Sequence, residues 1–313
     1  MHIKEQLLVR FKPTKVFSDN SDNINSLDFS RNGETLITSS NDDSIQIYDA
    51  MQGIRKHSLN SKKYGVSLIR CTHANNTAIH ASTKVDDTIR YLSLHDNKYI
   101  RYFSGHSKRV INLEMSPNDD TFISSSEDNT FRIWDLRSPN CHGLIKSDNS
   151  ILASYDPEGI LFAIASENEK IKLFDKRSFD KGPFLTFKLE GIEGFGTWNS
   201  IKFNPNGKNI CLMTQNNSLI LVNAFKGNIV HTFSDHVTSK PDSNFDFTPD
   251  GNFLFNVSAS NTLNCWKLSD GKQISTIPVK HKSKCQHALF NPLYMSIATA
   301  GSEMIIWLPE IGA

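Results

Sequence analysis

One pattern recurs along this 313-residue chain. Its fullest copy runs from Arg101 to Leu136, RYFSGHSKRVINLEMSPNDDTFISSSEDNTFRIWDL. Gly105-His106 opens this unit, Ser116-Pro117-Asn118-Asp119 marks a turn, and Ser124-Ser125-Ser126 reads as a strand of small residues. Asp128 lies in a second tight turn and Trp134-Asp135 closes the unit. The equivalent closing positions are Tyr48, Leu92, Trp134, Phe174, Val222, Trp266 and Trp307, spaced 40 to 48 residues apart. A repeat of that length with these dipeptides builds one four-stranded antiparallel blade.

Seven closing positions predict an all-β chain, a seven-bladed WD-repeat β-propeller over residues 1–313. Hairpin turns recur at matching points, at Asn32-Gly33, Asn75-Asn76, Asn118-Asp119, Glu158-Gly159, Asn206-Gly207 and Asp250-Gly251. These residue types tolerate the positive φ that tight hairpins need. Blade 7 ends near Trp307 with too little chain left for a fourth strand, while Lys15-Val16-Phe17 is a strand with no blade of its own. Residues 14–18 are therefore expected to complete blade 7 and remove both open edges. Residues 1–13, with Ile3, Leu7, Leu8 and Phe11 at helical spacing, read as a latch on the rim.

His, Ser and Asp occur together in the organising repeat, yet their spacing predicts a structural relay rather than catalysis. His106, a strand serine, Asp128 and the Trp134 indole would satisfy one another beneath the blade, since buried polar groups persist only when paired. Elsewhere Leu92, Phe174 and Val222 cannot donate the indole hydrogen bond, and Asn168, Asn216 and Ser260 replace the turn acid. Only the third blade is expected to keep the full relay, with those others held mainly by apolar packing.

The formal net charge of +1 argues against bulk electrostatic coating of nucleic acid, so anion recognition has to be local. The five cysteines include no C-x-x-C pair and read as reduced thiols. No apolar run is long enough for a signal peptide or a membrane span, and a soluble intracellular protein is expected. There is no G-x-x-x-x-G-K-[ST] phosphate loop, and Gly191 to Gly196 has the wrong glycine spacing for a dinucleotide fingerprint. Cys71 with His73 and Cys285 with His287 are paired at i, i+2, but two ligands do not make a zinc site. No cofactor, no metal and no enzyme activity are expected.

Function is then expected on loops. Those entering blades 2 and 3, and the one between the second and third strands of blade 2, carry Lys62, Lys63, Lys84, Lys108 and Arg109, with Tyr64 and His106 near them. Five cations with no interleaved acid would suit an acidic or phosphorylated peptide, with Tyr64 as an apolar wall. The alternative is a solvated face.

Several stretches are more particular than a generic repeat: SKKYGVSLIR from Ser61, DDTIRYLSLHDNKYIRYFSGHSKRV from Asp86, RIWDLRSPNC from Arg132, YDPEGILFA from Tyr155 and FDKRSFDKGPF from Phe174. Through them the chain resembles the WD-repeat subunit of COMPASS-type histone lysine methyltransferases, the Swd-two and WD-repeat-containing protein eighty-two family. The match loosens around Glu190 to Gly196 and His236 to Asn244. The resemblance implies a non-catalytic nuclear scaffold. It further implies that the partners are an amino-terminal segment of the methyltransferase, a phosphatase-one scaffold or cleavage and polyadenylation subunits, and the phosphorylated RNA polymerase II tail, with neither sequence-specific nucleic-acid binding nor a membrane involved. A WD-repeat adaptor of a ubiquitin ligase or trafficking assembly is the alternative within the binding class. A propeller enzyme would need ionisable residues converging on the axis from several blades, and the sequence offers no such set.

Overall fold

The computed structural model describes residues 3–166, 170–190, 197–234, 244–258 and 260–310. Seven four-stranded antiparallel sheets follow one another along the chain. The only helical elements among the described residues are Glu5–Leu8 and a 3₁₀ turn at Phe179–Lys181. No described helix is long and apolar enough to cross a membrane. Blades 1 to 6 occupy residues 24–60, 67–103, 110–146, 151–188, 198–234 and 245–278, each with strands in sequential order. Asn168, Gly191 to Gly196 and His236 lie outside the described residues.

Blade 7 takes three strands from the carboxyl end, His287–Phe290, Ile297–Ala300 and Met304–Pro309, and its outer strand from the amino end. That strand is Phe11–Phe17, three residues longer at its start than the alternation around Lys15 suggests. Pro13 is accommodated because the strand lies at the outer edge, where the missing N–H forfeits no ladder bond, and the register slips between Pro13 and Lys15. Ahead of it, Ile3, Leu8 and Phe11 are buried against blades 6 and 7, and the Ile3 N–H donates to Asp250 Oδ2 at 2.9 Å.

Apolar cores form between neighbouring blades. Ile79, Ile89 and Phe103 of blade 2 meet Leu113, Phe122 and Trp134 of blade 3, with Phe103 edge-on to Phe122 at 4.8 Å. Complete burial is worth roughly 1.5–3 kcal/mol for each large apolar side chain.

Polar residues on the inner strands tie successive blades together around the axis. Asp28 Oδ2 accepts the Cys71 N–H at 2.8 Å, Arg70 Nε donates to the Leu113 carbonyl at 3.0 Å, and Glu114 Oε1 accepts the Tyr155 N–H at 3.3 Å. Farther round, Ser154 Oγ accepts the Phe203 N–H, Lys202 pairs with Asp246, and Asp246 Oδ2 accepts the Phe290 N–H at 3.0 Å. At the last boundary blade 7 meets blade 1 through Asn291, whose side-chain amide donates to the Gly33 carbonyl at 2.7 Å. The enclosed wall disfavours charge, so desolvation raises Asp28 to about 6 and Glu114 to about 7 despite nearby Arg70 and Lys202.

Most of the hairpin turns place Gly33, Asn76, Gly159, Gly207 or Gly251 at positive φ. The third does not: Asn118-Asp119 turns without a left-handed residue, and Asp119 instead accepts from the Thr121 N–H and hydroxyl.

Candidate peptide-binding site

In blade 3, Trp134 Nε1 donates to Ser124 Oγ at 2.8 Å, and the same hydroxyl lies 2.8 Å from His106 Nε2. His106 Nδ1 is 3.1 Å from Asp128 Oδ2. A carboxylate only accepts, so Nδ1 carries the proton and Nε2 accepts from Ser124. The chain of donors is thus fixed from Trp134 through Ser124 and His106 to Asp128. Burial holds His106 below its ordinary pKa, opposed by Asp128, while hydrogen bonds from Thr130 and Ser107 bring Asp128 down to about 2 despite its partial burial. All of these groups are committed to one another and none is free for a substrate.

Blade 7 carries a variant that its sequence disguises. Trp307 Nε1 donates to Thr299 Oγ1 at 2.8 Å, and His281 Nε2 lies 2.8 Å from the same oxygen. Glu303 takes the turn position and accepts the Lys282 N–H, as Asp128 accepts that of Ser107, but it does not reach His281. Blade 2 is rewired more thoroughly and adds a polar network to the apolar packing expected to hold it. With Leu92 in place of the indole, Arg90 is buried beneath Tyr64 at 3.7 Å and grips Asp86 through two hydrogen bonds of 2.8 and 2.9 Å. A fork of that kind is among the stronger polar contacts available.

This rewired corner builds the rim on which the cations stand. Gly65 has φ +68, and a Cβ there would lie 1.9 Å from Thr83 Oγ1, so only glycine fits. The tight turn aims the Tyr64 carbonyl at the N–H groups of Thr83 and Lys84, at 3.0 and 2.9 Å. Lys62, Lys63, Tyr64 and Lys84 are thereby brought onto one edge of blade 2. Lys63 Nζ sits 4.9 Å from the Tyr64 ring centroid and, with Arg90 acting in the same direction, its hydrogen bond holds the phenol below its ordinary pKa. Tyr64 is consequently engaged by two cations rather than standing as a free apolar wall.

On blade 3, the Ser107 N–H on Asp128, Ser126 Oγ on the Lys108 carbonyl at 2.7 Å, and the Glu127 N–H on the Arg109 carbonyl at 2.9 Å fix the loop backbone and leave both basic side chains exposed. Arg109 and Thr83 line the same cavity of about 460 Å³, with Glu127, Asn25, Asn41 and Trp198 contributed from blades around the axis. Arg109 is the residue of the basic sector that lines this cavity, and Thr83, the neighbour of Lys84 in sequence, lines it from blade 2. Acids are not absent from it: Lys84 is paired with Asp43 of blade 1, and Glu127 shares the cavity with Arg109. Among the described residues, no carboxylate pairs with Lys62, Lys63, Lys108 or Arg109. His106, by contrast, lies inside the relay. No group of three or more His, Cys, Asp or Glu among the described residues could hold a metal ion; His73 Nε2 bonds the Ser116 carbonyl and Cys285 Sγ points to the His287 carbonyl.

Comparison with known proteins agrees with the propeller fold. Residues 11–49 and 97–135 match the family described as WD domain, G-beta repeat. The chain is 50% identical over 300 residues to WD repeat-containing protein 82 of Drosophila melanogaster, covering 96% of this chain and 94% of the relative. It belongs to that protein's family. Two further members are the Set1 complex component swd2 of Schizosaccharomyces pombe, 34% identical over 91% of this chain and 92% of its own, and the COMPASS component SWD2 of Saccharomyces cerevisiae, 34% identical over 95% of each. As a member of the family the chain is a WD-repeat scaffold and not an enzyme.

Proposed function

We propose that this chain is a nuclear scaffold subunit of a histone lysine methyltransferase complex, and that the rim of blades 2 and 3 receives an acidic or phosphorylated linear peptide. The first half is supported by its full-length similarity to proteins named as Set1 complex and COMPASS components. The second rests on the exposed side chains of Lys62, Lys63, Lys108 and Arg109, carried on loops whose backbones are pinned from beneath. Rigid loops lose little entropy on binding. A phosphate carries nearly two negative charges at neutral pH, and each charge-assisted hydrogen bond contributes about 1.5–3 kcal/mol, so two or three cations give modest but selective affinity. Lys84, already paired with Asp43, is the weakest contributor of the six residues in the sector.

The occupants that the family resemblance implies are an amino-terminal segment of the methyltransferase, a phosphatase-one scaffold or a cleavage and polyadenylation subunit, and the phosphorylated polymerase tail, whose repeated heptads carry the phosphate. Titration of phosphorylated and unphosphorylated heptad peptides against wild type and the Lys108→Glu/Arg109→Glu double variant tests the site. Wild type should prefer the phosphorylated peptide, with affinity falling as salt rises, and the variant should lose that preference while melting normally. Equal affinities in all four combinations would mean the patch is only a solvated face.

A further inference from the structure

The loop from Ser82 to Thr88 joins the second and third strands of blade 2 and holds its most unusual residue at the tip. Val85 has φ +71, a region in which a β-branched side chain is strained, and the Asp86 N–H donates to the Lys84 carbonyl at 2.9 Å, closing a γ-turn of the rare positive-φ hand. In blades 1, 3, 5 and 6 the shorter connection between the same two strands puts Asp43, Asn129, Asn217 or Asn261 in that region, directly before the third strand, at φ 57 to 65. Those residue types adopt it readily. Blade 2 has a longer connection in which Asp86 takes the place of the turn acid, accepting the Thr88 N–H as Asp42 and Asp128 accept those of Ser44 and Thr130, and the positive φ falls on a valine in the segment ahead of it.

Nothing inside the fold requires that side chain. Val85 is 79% exposed, the highest value among the exposed large apolar residues described. Its backbone is nonetheless held on every side: Thr83 and Lys84 bond the Tyr64 carbonyl, Asp86 is gripped by Arg90 and accepts the Thr88 N–H, and Lys84 reaches Asp43. Strain that the surroundings enforce at an exposed apolar tip points to a contact outside the chain.

We propose that Val85 is the specificity-determining contact of the basic sector, reading an apolar side chain adjacent in sequence to the acidic or phosphorylated residue of the bound peptide. The inference rests on the reading of that sector as a peptide site. Consecutive Cα atoms lie about 3.8 Å apart, so a peptide whose anion meets the cations beside Tyr64 offers its next side chain to the neighbouring tip. A fixed tip takes that side chain with little further ordering.

The test uses the full chain and two synthetic phosphoserine peptides, one with valine and one with glycine after the phosphoserine, together with their unphosphorylated forms. Wild type should bind the valine peptide roughly tenfold tighter than the glycine peptide, the range expected for burying one small apolar side chain. Val85→Asn and Val85→Gly tolerate the left-handed backbone and should melt no lower than wild type. Both should remove the valine preference and keep the phosphate dependence. A preference retained in both variants would overturn the inference, as would variants that melt lower with the preference intact, which would make the tip a structural feature. Phosphate-dependent binding by wild type without a valine preference would sink this inference alone. Binding indifferent to phosphate would sink the underlying reading and this inference with it.

Discussion

Replacing Trp134 by Phe isolates one donor of the blade 3 relay. The indole is completely buried, its N–H is committed to Ser124 Oγ at 2.8 Å, and its ring stacks on Phe122 at 6.1 Å and meets Phe103 edge-on at 5.8 Å. Phenylalanine keeps most of the ring contact and removes the donor. Ser124 can still donate to His106, so the loss is one hydrogen bond to an oxygen that water cannot reach, about 1 kcal/mol. The missing part of the indole leaves a small cavity, adding roughly 1 kcal/mol at about 24 cal/mol per Å³. A destabilisation of about 2 kcal/mol is expected, read as a lower denaturant midpoint at unchanged slope. Ser124→Ala should cost at least as much, because it strands both the indole N–H and His106 Nε2, and the double variant should lose less than the sum of the two. Peptide binding at low temperature should persist in all three. Unchanged stability with lost binding in Trp134→Phe would refute the structural reading of the relay.

Deleting residues 1–20 removes the strand Phe11–Phe17 and the buried Ile3 and Leu8, exposing the edge of Met304–Pro309; the truncated chain should aggregate and melt earlier, and a product as soluble and heat-resistant as the full chain would contradict ring closure. Glu114 tests the axial wall. Its folded pKa of about 7 is raised above the ordinary 4.5 by burial, so the protonated form is favoured in the fold and the stability it contributes at low pH is lost as pH rises through 7. Glu114→Gln keeps the acceptor for the Tyr155 N–H and carries no charge, so its stability relative to wild type should be near equal below pH 4.5 and more favourable by about 3 kcal/mol above pH 8. A difference that does not vary with pH would remove the desolvation argument.

The ring was legible because its signals are local and repeated: the closing positions from Tyr48 to Trp307 mark every blade, and Lys15-Val16-Phe17 is a strand without neighbours in sequence. The start of that strand was misread because Pro13 suggests a break, whereas an outer edge tolerates it. The blade 7 relay was hidden by two conservative exchanges, Thr299 for a serine and Glu303 for the turn aspartate. Arg90 was hidden for a different reason. Its pairing with Asp86 under Tyr64 depends on how the loop from Ser82 to Thr88 folds back, and that path is set by contacts between two loops rather than by any spacing along the chain. The same long-range tie placed Asp43 on Lys84, an acid from another blade that a linear count of charges near the lysine passes over.

Affinity purification of the tagged full-length chain from nuclear extract, with its co-purifying proteins identified by mass spectrometry, tests the scaffold assignment most directly. Recovery of a histone lysine methyltransferase and its companion subunits is the expected result, and recovery of ubiquitin-ligase or coat subunits without a methyltransferase or phosphatase scaffold would contradict it.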